Sequence, residues 1–415
     1  MGSASTIPVL EDRRLILGVT GSIAAYKAAD LASRLTQAGA LVDVILTPAA
    51  ERFVTPLTFQ SVTGRRAYTD ADLWGPEAHV LHVMLGEGAE AMAIAPATAH
   101  TLARLATGQA ETLLSIAALA LRGPLLVAPA MDGGMFTHPA TQANLDTLRA
   151  RGVVVAGPAE GRMASGLSGP GRMLEPSELV GHLRRLLGRE GPLAGRRVVV
   201  TAGGTQEPID PVRMIVNRSS GKQGFAVAQA ALDLGAAVRL ITGPVALDTP
   251  VGAERVEVRT AREMAEAVLA AAGEADALVM AAAVADFQPA AQAAQKIKRG
   301  DGVPEITLEP APDVLALVAE GRRATGRPLA VVGFAAETQG LVANARAKLA
   351  AKQLSLIVAN DVSAADAGFA VDTNRVVLID ADETVQELPL LSKAEVGRVV
   401  MDRVAAMLRR EASLH

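Results

Sequence analysis

The sequence predicts two α/β domains in tandem, the first built on a parallel, doubly wound sheet. Three observations carry this. The 415 residues exceed one ordinary domain. Half of them are hydrophobic and a fifth are charged, enough to bury a core in each half and too apolar for a disordered chain. Short β-branched or Leu-rich runs alternate with alanine-rich amphipathic ones, and the alternation stops and restarts near residue 190, the pattern of strands joined by crossover helices.

In chain order, Leu15–Val19 reads as a strand and Ala24–Gln37 as a helix closed by Gly39. Leu41–Leu46 is a second strand, followed by a helix from about Ala49. Ala91–Ala95 is a third strand, Leu113–Leu121 lies on a helix, and Leu125–Ala128 and Val153–Val155 are two further strands. The helix Pro176–Leu187 ends a first domain over 1–187. Residues 188–196, rich in Gly and Arg, read as a linker. A second domain over 197–415 opens with the strand Arg197–Val200, continues through a helix at Phe225–Leu234, and carries strands at Val238–Thr242, Ala277–Ala282, Leu329–Val332, Leu354–Val358 and Arg375–Ile379.

Composition removes several functions. Cysteine is absent, which excludes disulfides, thiolate metal sites and a cysteine nucleophile. Of six histidines, five precede residue 183 and the last is His415, so the second half has no internal imidazole for a triad or a metal. Acidic and basic residues nearly balance, and one Trp, two Tyr and seven Phe make a poor base-stacking surface, so no nucleic-acid partner is expected. No apolar run reaches the roughly 20 residues of a membrane span. The N-terminal stretch reads as a loose tail and a first strand rather than a signal peptide; the expected address is the cytoplasm, with no membrane partner.

The glycine turns point to anions. Gly21-Ser22 follows the first strand and opens the first helix, where unpaired N–H groups suit a phosphate, although a turn needing glycine for its backbone angles explains them equally well. Thr47, and Ala95-Pro96-Ala97-Thr98, fall at the ends of the second and third strands, on the same sheet edge. Neither half carries GxGxxG, which argues against a nicotinamide dehydrogenase. The stretch Ser219-Ser220-Gly221-Lys222-Gln223-Gly224 opens a helix and forms a second anion site, but is no Walker A loop, since Gln223 stands in the Ser/Thr slot. Lys296-Ile297-Lys298-Arg299, between an Ala/Gln-rich stretch and Gly300-Asp301-Gly302, suits a flap over an anionic site, or simply a solvated charge run. Lys348 and Lys352, four apart, share a helix face.

Several of these segments occur together in known families. GVTGSIAAYK (18–27), His82-Val83-Met84-Leu85, APAT (95–98), PAMDGGMF (129–136) and ASGLSGPGRM (164–173) resemble, in order and spacing, the flavin-dependent cysteine decarboxylases that act on phosphopantothenoylcysteine. TAGGTQEPIDPVRMIVNRSSGKQG (201–224), AAAVADF (281–287), KIKR (296–299), GFAAET (333–338) and AND (359–361) resemble phosphopantothenate–cysteine ligases. The two are fused in this order in bacterial bifunctional enzymes of coenzyme A synthesis, and the resemblance runs from about residue 14 to 408.

For the first half the resemblance implies a flavodoxin-like domain with FMN against Gly21, Ser22, Thr47 and Thr98. It implies His82 as the active-site base, imidazole being suited to proton transfer near neutral pH; His79, one turn away, is equally eligible by composition. By the family's mechanism FMN oxidises the substrate thiol to a thioaldehyde, CO2 is lost, and reduction returns the thiol. Such enzymes build sites between neighbouring subunits, so a homo-oligomer is expected. Two positions depart from the family. Asp132 replaces an Asn that would hydrogen-bond the substrate carboxylate, which an ionised Asp132 would repel. Ser165, a far weaker acid than a thiol, replaces the proton-donating Cys. Both changes oppose the same reaction and predict a slowed decarboxylase. The alternative is an enzyme that only ligates, its first half a flavin-binding scaffold.

For the second half the resemblance implies a Rossmann-like domain that activates the carboxylate of 4'-phosphopantothenate with CTP and Mg2+ or another divalent cation. The acyl-cytidylate forms with loss of pyrophosphate, and the cysteine amine then attacks it. Asn217 would hold the acyl-cytidylate and Lys296 would engage the CTP phosphates. Asp286, Pro312, Asp313, Val314, Phe334, Lys348 and Lys352 fall where the family contacts CTP.

Overall fold

The computed structural model describes residues 6–74, 80–164, 166–298, 305–337, 340–361 and 371–414. The chain divides into two compact units, Met1–Leu187 and Gly188–His415.

In the first unit, strands β1 (Arg14–Val19), β2 (Leu41–Leu46), β3 (Ala67–Tyr68), β4 (Ala91–Ala97), β5 (Leu125–Pro129) and β6 (Val154–Val155) form a parallel sheet in the order β3-β2-β1-β4-β5-β6. Helices α1 (Ala25–Gln37), α2 (Pro56–Thr63), α3 (Leu81–Gly88), α4 (Ala99–Thr107), α5 (Leu113–Ala120), α6 (Gly133–Thr137), α7 (Pro139–Ala150) and α8 (Pro176–Gly188) connect and cover it. Both faces are buried, as a parallel sheet requires. Along β1, Leu15, Leu17 and Val19 join one core while Ile16 joins the other, the period of two that alternating side chains impose. An antiparallel hairpin, β7 (Ala159–Arg162) and β8 (Ser168–Arg172), stands beside the sheet. The doubly wound, flavodoxin-like build expected of this half is present, with strands in the order 3-2-1-4-5-6 instead of flavodoxin's 2-1-3-4-5. The helix expected from about Ala49 is a short 3-10 turn, Ala50–Arg52, and α2 begins only at Pro56, where proline fits a first helical position.

The second unit repeats the order. Its strands are β9 (Arg197–Ala202), β10 (Gln206–Pro208), β11 (Met214–Val216), β12 (Ala237–Thr242), β13 (Glu254–Glu257), β14 (Ala277–Met280), β15 (Phe287–Pro289), β16 (Leu308–Pro310), β17 (Ala330–Glu337), β18 (Leu356–Asp361), β19 (Thr373–Asn374), β20 (Val376–Asp380), β21 (Val385–Glu387) and β22 (Leu391–Ser392). The main sheet runs β13-β12-β9-β14-β17-β18-β20-β21. It is parallel through β18 and then turns antiparallel at β20 and β21. The first six positions again read 3-2-1-4-5-6, the Rossmann order; the antiparallel edge is an addition that residue patterning did not announce. Helices α9 (Lys222–Asp233), α10 (Ala261–Ala272), α11 (Val314–Thr325), α12 (Leu341–Ala351) and α13 (Lys393–Leu414) complete the layers. Residues 188–196 are no free linker: Leu193 is fully buried in the second unit's core, and its N–H donates to Leu234 O at 2.8 Å.

Candidate active sites

In the strand order 3-2-1-4-5-6 the chain leaves the first strand toward one edge and the fourth toward the other, so their C-terminal loops part and open a crevice. In the first unit that crevice is a cavity of about 690 Å³ bounded by Gly21, Ser22, Thr47, Thr98, Ser115 and Met131. All four residues expected to hold the cofactor line it. Each is fixed locally. A Cβ on Gly21 would lie 2.4 Å from the Cβ of Ala49, so only glycine lets the turn after β1 approach the turn after β2. Thr47 N–H donates to Val19 O at 3.0 Å. Thr98 caps α4, its hydroxyl accepting from Thr101 N–H at 3.3 Å, and its own N–H donates to the hydroxyl of buried Thr20 at 3.2 Å.

Asp70 and Arg104 also line this cavity and carried no sequence signal. Burial raises the Asp70 carboxyl above its ordinary range, against the opposing pull of the Leu113 N–H and Arg104. A second cavity of about 460 Å³ shares Ser22, Ala130 and Met131 with the first and is closed by Lys27, Asp132, Arg162 and Arg172. Asp132 therefore stands at a cavity wall, where its Oδ1 accepts from Gly134 N–H at 3.0 Å as the cap of α6. His82, near the start of α3, is not on either lining; its Nδ1 is buried with no hydrogen-bond partner among the described residues. Ser165 and His79 lie outside the described residues.

The second unit's crevice is a cavity of about 440 Å³. Its floor is residues 217–224, the loop before α9 and the first turn of that helix. Gly221, with φ +74°, caps that helix, and a Cβ on Gly224 would lie 2.6 Å from the Cβ of Ala202, so the first turn of α9 presses directly on β9. The buried hydroxyl of Thr201 accepts from Ala281 N–H and Ala282 N–H, both at 3.1 Å, and fixes the opposite loop. Asn217, Asp286, Phe334 and Lys348 meet on this lining; Asn217 Nδ2 donates to Val284 O at 3.0 Å.

Other expected residues do not reach it. Lys296 is exposed and off the lining. Its neighbour Ile297 is pinned by its N–H to Asp210 Oδ2 at 3.2 Å and by its carbonyl to Arg213 at 3.0 Å. Burial pushes the Asp210 carboxyl up, but the N–H groups of Val212, Arg213 and Ile297 and the charge of Arg213 bring it below the ordinary range. Arg299 and residues 300–304 lie outside the described residues. Pro312 is also off the lining. Asp313 caps α11 and is ion-paired to Lys352, and the Val314 side chain is buried in the core, so only its backbone could meet a ligand. Lys348 and Lys352 thus part company: the first lines the cavity, while the second, one residue past α12, is held by Asp313. Burial acts to raise the Asp313 carboxyl, yet Lys352 and the Ala316 N–H draw it below its usual range.

Lys222, Asn360, Asn374 and Lys393 complete the lining. Asn360 belongs to the AND motif, to which no role was attached. Its buried Oδ1 has no partner among the described residues, a state that costs about 1–3 kcal/mol until a donor arrives. Lys393 lies 170 residues from Gln223, whose side chain bonds its carbonyl, a distance no local pattern spans. Among the described residues no group of three His, Asp or Glu could hold a metal ion, and no helix is long and apolar enough to cross a membrane.

Comparison with known proteins covers both units. Residues 5–188 match the Flavoprotein family, and residues 193–408 match the DNA/pantothenate metabolism flavoprotein C-terminal domain. The coenzyme A biosynthesis bifunctional protein CoaBC of Bacillus subtilis is 43% identical over 97% of this chain and 99% of its own length. The protein of the same name from Mycobacterium tuberculosis is 46% identical over 95% of this chain and 97% of its own. A crystal structure of the C-terminal domain of a CoaBC protein aligns at 38% identity over 52% of this chain and 97% of that one, with a TM-score of 0.44.

Proposed function

Because this chain belongs to the bifunctional CoaBC family of coenzyme A biosynthesis, we propose that its second unit joins 4'-phosphopantothenate to cysteine with CTP and its first decarboxylates the product to 4'-phosphopantetheine. One observation supports the ligase reading above others. The Ser219–Gly224 turn, the N-terminus of α9 and Asn217, Asp286, Phe334 and Lys348 share one cavity. Oriented N–H groups and ammonium charges there suit a triphosphate. A carboxylate is inert to an amine until one of its oxygens becomes a leaving group, in this reading by bonding to phosphorus, and the site's work is to position that oxygen and neutralise charge. Mg2+ would arrive on the nucleotide's own oxygens, since the ion is commonly held by substrate phosphates with one or two carboxylates. Lys296, exposed beside the pinned Ile297 and off the lining as the chain stands, would engage the phosphates by moving its side chain toward them, and Asn217 would hold the acyl-cytidylate for attack by the amine.

In the first unit the residues present fit FMN. The cavity offers an apolar wall, the hydroxyls of Ser22, Thr47 and Thr98, and a glycine turn that any Cβ would fill. Bound there, the flavin supplies the two-electron oxidation and reduction that decarboxylation requires. Ser22 and the N–H groups opening α1 suit its phosphate. Asp132 stands where the substrate carboxylate is expected and repels it when ionised, and Ser165 delivers a proton poorly, so this unit is the slower. His82, with its orphaned Nδ1, is offered to a site completed by a neighbouring subunit of a homo-oligomer. The substrates are small and water-soluble, in keeping with a cytoplasmic enzyme.

Mass spectrometry of products from purified protein given 4'-phosphopantothenate, cysteine, CTP and Mg2+ tests the whole reading. The expected result is pyrophosphate with phosphopantothenoylcysteine accumulating ahead of its decarboxylated thiol. Phosphopantothenoylcysteine alone would leave a ligase with a flavin-binding scaffold. No pyrophosphate would end the ligase reading.

A further inference from the structure

The second unit's cavity has a cationic corner to which one residue, Lys393, comes from outside every motif quoted above. Lys393, the first residue of α13, is only 6% exposed, unusual for a residue type that keeps to the surface unless its charge is met. Its main chain is fastened on both sides. The Lys393 N–H donates to Asp372 O at 2.9 Å, and its carbonyl accepts from Gln223 Nε2 at 3.1 Å. Gln223 Oε1 accepts in turn from Asn374 Nδ2 at 3.3 Å, and Asn374 is itself buried. These bonds tie the start of α13 to the first turn of α9, so Lys393 and Lys222 line one cavity together with the N-terminus of that helix.

Lys222 is paired with exposed Asp372 at 2.6 Å. Burial, and then the charge of Lys222, hold the Lys393 ammonium below the ordinary lysine range, with Asp372 opposing. Arg218 and Lys348 bring further positive charge to the lining, against the carboxylate of exposed Asp286. A second observation is independent of charge. Asn360, 9% exposed, lines the same cavity with an unpartnered Oδ1. A ligand with hydroxyl or amino donors beside its anionic oxygens, as a nucleotide has, would give the Asn360 oxygen a donor and set its anionic oxygens against the lysines of the lining.

We propose that Lys393 binds the pyrophosphate portion of the nucleotide, together with Lys222 and the N-terminal N–H groups of α9. This rests on the CTP-dependent ligase reading. In that reaction a carboxylate oxygen of phosphopantothenate bonds to the α-phosphorus while the bond from that phosphorus to the α,β-bridging oxygen breaks. The bonding pair leaves on pyrophosphate, and no proton need move. Negative charge therefore grows on the departing group, and the buried ammonium meets it there. In this place the polyanion also offsets the hydration that burial removes from the lysine.

Calorimetric titration of the full-length protein with magnesium pyrophosphate, magnesium CTP and cytidine tests this. Lys393→Gln should weaken pyrophosphate and CTP by about 10- to 100-fold, the worth of one charge-assisted contact, and leave cytidine within about twofold. Lys393→Met, which keeps the buried stem, should behave alike if glutamine disturbs packing. Pyrophosphate affinity unchanged in either variant overturns the proposal. Equal loss of cytidine also overturns it, because a displaced helix and not a lost cation would then be the cause. Wild-type protein that binds neither CTP nor pyrophosphate removes the ligase reading itself, whereas tight CTP binding unaffected by either variant removes only Lys393.

Discussion

The two units set the same strand order, 3-2-1-4-5-6, and the same crevice between first and fourth strands to different chemical uses. In the first, the loops after β1, β2 and β4 present hydroxyls and a tight glycine turn against an apolar wall. In the second, the segment 217–221, the starts of α9 and α13, helix α12 and strands β18 and β19 present lysines, asparagines and a helix N-terminus. The shared sheet decides where a ligand can enter; the side chains around it decide whether the crevice suits a flat redox cofactor, as proposed for the first unit, or a polyphosphate, as proposed for the second. Histidine follows the same division, since the second unit reaches its only imidazole at the last residue. Its chemistry must therefore run on fixed positive charge, while the first has imidazoles available to move protons.

That contrast can be broken hardest at Lys296. If the second unit works by charge placement, Lys296→Gln should lower ligation by about 10²–10³, the usual loss on removing one preorganised stabilising group. Lys296 is exposed, so the urea midpoint should not move, and decarboxylation of added phosphopantothenoylcysteine should be unchanged. Near-normal ligation would remove Lys296 from the mechanism. The first unit predicts the opposite sign. Asp132→Asn combined with Ser165→Cys should raise the decarboxylation rate by about 10², toward the contribution of a competent general acid. A double variant no faster than the parent would show that neither departure limits the reaction.

Legibility divides along physical lines. The strands were readable because a doubly buried parallel strand must be a continuous apolar run. The turn at Gly21 was readable as a glycine turn, though what requires glycine there is the approach of Ala49 and not the special backbone angle expected of it; at Gly221, which opens α9, a left-handed backbone angle does require it. Residues whose partners are distant in sequence were not. Lys393 is brought to α9 by the packing of α13, and Asp70 to its cavity by the turn after β3; neither sits in a local pattern. The parting of Lys348 from Lys352 also escaped a helical-spacing argument, because Asp313, on another element, claims one of them. The stretch 188–196 looked like a linker by composition, whereas Leu193 has a core to enter.

The smallest effect compares the two sheets at their other end. In each unit an acid just before the fourth strand accepts from the N–H that starts the first strand and pairs with the preceding arginine. Glu90 does so with Arg14 N–H at 3.3 Å and with Arg13; Asp276 does so with Arg197 N–H at 2.8 Å and with Arg196 at 3.1 Å, adding Arg327 at 3.1 Å. The environments differ: the Glu90 side chain is 39% exposed and the Asp276 side chain 9%. An exposed pair contributes about 0.5 kcal/mol, so Glu90→Gln should barely shift the first unit's urea midpoint. Asp276→Asn should cost the second unit about 2 kcal/mol, toward the lower end for buried charge-assisted bonds because its arginines remain partly solvated. Burial works to raise the Asp276 carboxyl, but the Arg197 N–H, Arg327 and Arg196 outweigh it and hold the carboxyl below its ordinary range. The folded state therefore releases that proton more readily than the unfolded chain, whose value is about 3.9. The stabilisation is complete above about pH 4 to 5 and is lost as pH falls through the lower folded value. The midpoint difference between wild type and Asp276→Asn should accordingly be constant near neutrality and shrink on acidification below about pH 4; a difference that grows in acid, or equal losses for Glu90→Gln and Asp276→Asn, would mean that burial does not distinguish the two clamps.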